Sequence, residues 1–156
     1  MSHLSSVKNK ETGQEINYSI EFVAKALSEL AQRDIHFIND CIGEKVKDAI
    51  EKMNFGDILV LENIRVYKEE EKNDIDFARA LVDLADIYVD DAFGVIHRAH
   101  ASVEAVAHYM PSYAGFLLSE EIQSMEALLK NPQRPMVAII GGAKLQTKIG
   151  VMEKFL

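Results

Sequence analysis

The 156-residue chain is long enough for one ordinary domain, or for one domain with a piece of another. Hydrophobic residues make up 48% of it and charged residues 27%, so it can bury a core. Its net charge of −8 and the lack of a long Lys/Arg stripe argue against a nucleic-acid partner. Its single cysteine, Cys41, excludes an internal disulfide and favours a reducing compartment, by default the cytoplasm. No apolar run approaches the roughly 20 residues that span a bilayer, so no membrane role is predicted.

Residues 1–16 are polar and predict an exposed loop. Beyond them, the spacing of apolar residues predicts alternating helices and strands. The predicted helices are 17–33 (cap Asn17 or Ser19), 42–54, 74–85 (cap Asp74), 102–110, 119–131 (cap Ser119) and 145–156. The predicted strands are 34–40, 57–63, 86–93 and 134–140. This alternation indicates right-handed crossover units, and hence an α/β fold with a three-layer, doubly wound parallel sheet that is Rossmann-like.

The chain opens on a loop and stops within an amphipathic helix at "EKFL". We therefore expect an excised piece of a longer protein, with the fold truncated at both ends. Ligands of parallel sheets bind at the carboxyl ends of the strands. That rule selects four segments as candidate binding regions: "SHL" (2–4), "ENIR" (62–65), "DDAFGVIHRAH" (90–100) and "GGAKLQTK" (141–148).

Arg65 follows the strand "DILVLE" and precedes an acidic stretch, "EEEKND". It could be solvated or paired with one of the glutamates at 69–71, and the stretch itself is expected to be a solvated loop. Alternatively, its planar guanidinium could bind a carboxylate or phosphate with two parallel hydrogen bonds. The position at a strand end favours this second interpretation.

The segment "HRAH" allows three interpretations. His97 and His100 could bind zinc, but a pair at this spacing needs a third ligand. They could instead be packed histidines that bond to the backbone. The third interpretation is an anion site built on Arg98, to which both histidines and the amides of a helix beginning at Ser102 add positive charge.

The segment "GGAKLQTK" places two glycines after an apolar strand and two lysines, Lys144 and Lys148, four residues apart. It lacks the spacing of a P-loop. Its lysines suggest stabilisation of charge on a phosphoryl group in transfer.

Three further positions carry weaker signals. Cys41 is expected to be a small buried hydrophobe rather than a nucleophile. Asp90 and Asp91 could chelate magnesium, although capping of the turn is favoured. His3 allows either a structural or a binding role.

These segments together resemble the phosphoglycerate kinase family. The resemblance is carried by "SHL", "GDILVLENIRVYKEEEKND", "LADIYVDDAFGVIHRAHAS", "YMPSYAGFLLSEEI" and "NPQRPMVAIIGGAKLQTKIGVMEKFL", in the family's order and spacing, over essentially the whole chain. It implies phosphoryl transfer between 1,3-bisphosphoglycerate and MgADP, giving 3-phosphoglycerate and MgATP, by a cytoplasmic, monomeric glycolytic enzyme.

The resemblance also implies roles for particular residues. His3, Arg65 and Arg98 would bind the glycerate ligand, while His97 and His100 would shape and polarise that pocket. The nucleotide and the transferring group would be bound by residues that lie in one segment: Gly142, Lys144 and Lys148. No metal ligand is assigned. The implied parts are a partial glycerate-binding domain at 1–117, an interdomain helix at 118–133 and the start of a nucleotide-binding domain at 134–156.

The chain departs from the family pattern in several ways. Ser6 stands where a substrate-binding arginine is expected, and Asp90 stands where the family usually has asparagine. The family's first strand and most of its nucleotide domain are missing from these residues. We therefore expect a catalytically incomplete chain. The alternative is a non-catalytic anion-binding or assembly module that keeps half of a kinase fold.

Overall fold

The fold is described from a computed structural model. It describes residues 1–4, 7–8, 15–16, 18–137, 139 and 149–150. The chain divides into two compact units, of which the first combines Met1–Val89 with Gly94–Tyr113 and the second combines Asp90–Phe93 with Ala114–Leu156. The three-part division predicted above, with boundaries at 117/118 and 133/134, stays a prediction.

Helices and short strands alternate along the described residues. The strands are β1 (Val7–Lys8), β2 (Glu15–Ile16), β3 (Ile35–Ile38), β4 (Ile58–Leu61), β5 (Tyr88–Asp90) and β6 (Ser112–Ala114). The α-helices are α1 (Glu21–Ala31), α2 (Glu44–Glu51), α3 (Lys68–Glu71), α4 (Ile75–Val82) and α5 (Phe116–Lys130). Single turns of 3₁₀-helix occupy Ile64–Val66, Phe93–Val95 and Val106–His108, and a π-helical turn occupies Ala101–Ala105.

The parallel pair β3–β4 confirms the predicted α/β, Rossmann-like class. Its register runs from Ile35 opposite Ile58 to Ile38 opposite Leu61. Helix α2 provides the crossover between these two strands, as their parallel direction requires. The other strands pair as β1–β2, which is antiparallel, and β5–β6.

Four sequence predictions fail in the described residues. The predicted loop at 1–16 contains β1 and β2. The predicted helix at 102–110 is formed by π-helical and 3₁₀ turns instead of an α-helix. The predicted strand at 134–140 is not formed at 134–137 or at 139. Of the predicted helix at 145–156, Ile149 and Gly150 are described, and both are helical.

The fourth failure concerns the cap of α5. This helix begins at Phe116 rather than after Ser119, and Gly115 is its N-cap. The cap at Asp74 is confirmed, because its Oδ1 accepts a hydrogen bond of 2.9 Å from the Phe77 N–H. Helix α1 has Ile20 at its N-cap. Of the two predicted caps, Ser19 accepts a bond at its Oγ from the Glu21 N–H, and Asn17 lies outside the described residues.

One buried cluster forms the core of the first unit. It comprises Cys41, Ile64, Phe77, Ala78, Leu81, Ala101, Ala105 and Val106. These residues come from the segments that follow β3, β4 and β5 and from α4. The loops at the strand ends are therefore anchored by the core itself. No described helix is long and apolar enough to cross a bilayer.

Candidate functional site

His3 is placed by hydrogen bonds between its chain neighbours and the segment after β4. The Ile64 N–H donates to the Ser2 carbonyl at 3.1 Å. The Asn63 side chain accepts from the Leu4 N–H at 3.3 Å and donates to the Leu4 carbonyl at 3.1 Å. Asn63 is completely buried, so this contact fixes residues 2–4 next to the loop that carries Arg65.

Arg65 is held by its own loop. The same Asn63 side chain accepts a bond from the Arg65 N–H and begins the 3₁₀ turn. The Arg65 side chain is 12% exposed. Its Nη1 donates to the Glu71 carboxylate at 2.6 Å, its Nη2 lies 3.5 Å from Nδ1 of His100, and its Nε is buried with no partner among the described residues. The predicted pairing of Arg65 with the acidic stretch is confirmed. Its Nε and Nη2 can still donate hydrogen bonds to another acceptor.

His100 and Arg98 come from the segment after β5. His100 is buried, and its carbonyl accepts bonds from the N–H groups of Val103 and Glu104 at the start of the π-helical turn. His97 and Arg98 are exposed. The metal interpretation finds no support, since no three His, Cys, Asp or Glu side chains within the described ranges are grouped to hold an ion.

Glu70 is a buried carboxylate that sequence reasoning missed. It is 2% exposed, so the prediction that the whole acidic stretch is solvated is wrong. Its two oxygens accept bonds from the N–H and the Oγ of Ser102, at 2.9 Å and 2.6 Å, and one of them lies 3.9 Å from Nδ1 of His100. Glu70 thus ties α3 to the segment that carries Arg98 and His100.

The pKa of His3 reflects the charges gathered here. Burial lowers this pKa, and the positive charge of Arg65 lowers it further. His100 and Arg98 act in the same direction as Arg65, while Glu70 opposes them. We call the basic residues His3, Arg65, Arg98 and His100 the cationic cluster: Nη2 of Arg65 lies 3.5 Å from Nδ1 of His100, and the last three residues each lower the pKa of His3.

Two weaker predictions are also resolved. Asp90 and Asp91 both act as caps: Asp90 accepts from the Ala92 N–H, and Asp91 accepts from the Leu118 N–H in the first turn of α5, both at 2.9 Å. Cys41 is fully buried and donates to the Glu62 carbonyl at 3.0 Å. Burial raises the pKa of its thiol to about 12, which fits a buried hydrophobe rather than a nucleophile.

The residues predicted to bind the nucleotide lie elsewhere in the chain. Gly142, Lys144 and Lys148 are outside the described residues, as is Ser6. Of the two predicted sites, the structure therefore describes only the cationic cluster. Asn63, Glu70 and Ser102, which hold this cluster in place, had no distinguishing signal in the sequence, because their roles depend on contacts across 32 to 59 residues.

Comparison with known proteins covers the whole chain. A family model described as "Phosphoglycerate kinase" matches residues 1–156. The phosphoglycerate kinase of Moorella thermoacetica is 51% identical over 156 residues, which are 100% of this chain and 39% of that protein. That of Bartonella bacilliformis is 49% identical over 97% of this chain and 37% of its own length.

Solved structures give the same result. The crystal structure of phosphoglycerate kinase from Pyrococcus horikoshii superposes with a TM-score of 0.80 at 30% identity, over 93% of this chain and 37% of that one. The structure from Coxiella burnetii superposes with a TM-score of 0.73 at 36% identity, over 97% of this chain and 37% of that one.

The fold and the comparisons define a Rossmann-like α/β protein. The chain belongs to the phosphoglycerate kinase family, a family of phosphotransferases. It spans a little over a third of the length of the relatives it matches.

Proposed function

We propose that this chain provides the 3-phosphoglycerate-binding part of a cytoplasmic, monomeric phosphoglycerate kinase of glycolysis. The enzyme would transfer the acyl phosphate of 1,3-bisphosphoglycerate to the terminal phosphate of ADP, giving 3-phosphoglycerate and ATP. Both glycerate ligands carry several negative charges, so a cationic cluster suits them. The relatives that the chain matches are named for this enzyme.

The observation that supports the proposal best is the unsatisfied Nε of Arg65. This nitrogen is buried and has no hydrogen-bond partner among the described residues. A buried N–H that lacks an acceptor costs about 1 to 3 kcal/mol. A carboxylate or phosphate oxygen would supply the acceptor, and the guanidinium of Arg98 would add favourable charge.

The nucleotide would be bound by Gly142, Lys144 and Lys148, with Mg²⁺ accompanying ATP or ADP. In this arrangement the lysines neutralise negative charge on the phosphates, since phosphoryl transfer depends on positioned cations. The proposed organisation keeps glycerate binding within 1–117, the interdomain helix at 118–133 and nucleotide binding from 134 onward.

The 156-residue polypeptide is expected to bind the glycerate ligand without turning it over. It corresponds to 37% to 39% of the length of its relatives, so most of their sequence has no counterpart in it. Mixing it with 3-phosphoglycerate and MgATP should release no ADP. Robust ADP release would refute this part of the proposal.

Calorimetric titration of the polypeptide with 3-phosphoglycerate tests the binding. Replacing Arg65 or Arg98 by alanine should weaken binding about 10- to 150-fold, the range expected for hydrogen bonds to charged groups. Arg79→Ala is the matched control, because Arg79 is exposed on α4 and lies over the Tyr109 ring. Equal affinities for all four proteins would count against the proposal.

A further inference from the structure

Glu71 holds one specific nitrogen of Arg65. Its Oε1 accepts from Nη1 at 2.6 Å, which is a normal distance for a charge-assisted hydrogen bond. The Glu71 side chain is 57% exposed, whereas that of Arg65 is 12% exposed. The glutamate therefore reaches a nearly buried guanidinium from the solvent side.

The guanidinium of Arg65 has donors on more than one edge. Nε and Nη2 point to the same side of the planar group and can bind two oxygens of one carboxylate or phosphate. Nη1 lies outside that pair of nitrogens. Because Glu71 occupies Nη1, it leaves the Nε and Nη2 edge without a carboxylate partner among the described residues.

The surroundings of that edge agree with this assignment. Nε is buried without a partner among the described residues, and Nη2 has only a long contact of 3.5 Å to Nδ1 of His100. If Glu71 were a competitor for the ligand, it would be expected on this same edge. The contact to Nη1 instead allows both carboxylates to bind Arg65 at once.

We infer that Glu71 is a positioning residue, which fixes the Arg65 guanidinium so that its Nε and Nη2 edge binds the ligand oxygens. This inference rests on the proposed function, because it deepens the role of Arg65 in binding 3-phosphoglycerate. Glu71 itself does not touch the ligand. It limits the rotation of the arginine before binding, which reduces the entropy lost when the complex forms.

The test compares Glu71→Ala, Glu71→Gln and the control Glu69→Ala by calorimetric titration of the 156-residue chain with 3-phosphoglycerate and with inorganic phosphate. Glu69 is the matched control, because it is an exposed carboxylate of the same helix without an ion pair to Arg65 among the described residues. Glu71→Ala should weaken binding about fivefold, the upper range for a partly exposed ion pair. Glu71→Gln should stay within about twofold of the parent chain, because its amide oxygen accepts the same bond.

A double-mutant cycle shows whether Glu71 acts through Arg65. Lysine cannot present two parallel donors, so Glu71→Ala should have no further effect once Arg65→Lys is in place. Equal losses in both backgrounds would refute the inference. So would tighter binding by both Glu71 variants, which is the behaviour of a competing counter-ion, or equal affinities for Glu71→Ala and Glu69→Ala.

A spectroscopic measurement makes the result independent of the folding of any Glu71 variant. The Nε–H resonance of Arg65, assigned by its loss in Arg65→Lys, should shift when 3-phosphoglycerate is added to the parent chain. Binding without such a shift would refute the positioning inference and the assignment of the Arg65 Nε to the ligand, while 3-phosphoglycerate binding by the chain would stand. If the parent chain does not bind 3-phosphoglycerate at all, the positioning inference and the proposed function are both refuted.

Discussion

Helices α4 and α5 differ in how many of their residues are buried. Helix α4 has eight residues and buries Phe77, Ala78 and Leu81, whereas α5 has fifteen residues and buries Leu118 alone. Phe77 is 4% exposed and Phe116 is 96% exposed. The shorter helix is held by tertiary packing, and the longer one depends more on its own hydrogen bonds and its cap. Helix length is therefore a poor measure of how strongly a segment stabilises the site.

The same substitution in each helix gives the largest expected contrast. Phe77→Ala should lower the free energy of unfolding by about 3 to 5 kcal/mol, because it removes a core ring that packs 5.0 Å from the Tyr67 ring. Phe116→Ala should change it by less than about 0.5 kcal/mol. Urea denaturation followed by circular dichroism measures both. Similar losses in the two variants would show that α5 is packed as firmly as α4.

Within the first unit, the buried Glu70 can be compared with its exposed neighbour Glu69. Glu70→Ala should destabilise the fold by about 2 kcal/mol, because two hydrogen bonds from Ser102 to a carboxylate are lost. Glu69→Ala should remain within about 0.5 kcal/mol of the parent chain. The same denaturation experiment applies. An unchanged denaturation midpoint for Glu70→Ala would mean that the hydrogen bonds from Ser102 to Glu70 do not stabilise the fold.

Asp91 tests how far α5 depends on its first turn. Asp91→Ala should cost the helix about 1 kcal/mol, because the Leu118 N–H loses its acceptor. Hydrogen exchange at the Leu118 amide should quicken accordingly. Asp91→Asn retains an acceptor and should exchange nearly as the parent chain does. Faster exchange confined to α4 would contradict the assigned cap.

The smallest expected effect is a pH dependence due to His3. Burial places its pKa below the ordinary 6.5 in the folded chain, so the unfolded chain binds more protons as the pH falls through 6.5. This histidine therefore costs stability at lower pH and has no such effect well above 6.5. The loss of unfolding free energy between pH 7.5 and 5.5 should be smaller in His3→Gln.

Sulfate provides the control for the His3 prediction, because its charge does not change in this pH range. A bound anion favours the protonated histidine, so sulfate should reduce the acid-dependent loss in the parent chain more than in His3→Gln. Identical pH profiles for the two proteins would show that His3 does not titrate in the cluster.

The sequence allowed the strands β3, β4 and β5 and the helices α1, α2 and α4 to be predicted, because their apolar residues follow a regular spacing. The cap at Asp74 was predictable for a similar reason, since it acts on an amide three residues away. The acceptor for the Leu118 amide in the first turn of α5 was not predictable, because this acceptor, Asp91, lies 27 residues away in the chain. Hydrogen bonds between residues that are close in sequence can be predicted from the sequence. Contacts between distant segments can be identified only from the tertiary structure.

The candidate site likewise contains some residues that the sequence predicts and others that only the tertiary structure identifies. Residue type and position at strand ends selected Arg65 and Arg98 as candidate ligands for an anion, whereas the binding role of His3 came only from the family resemblance. The sequence could not distinguish Glu70 from Glu69 and Glu71, because three consecutive glutamates carry the same local signal. Only tertiary structure decided that one is buried against Ser102, one pairs with Arg65 and one faces solvent, since successive helical residues point about 100° apart from one another.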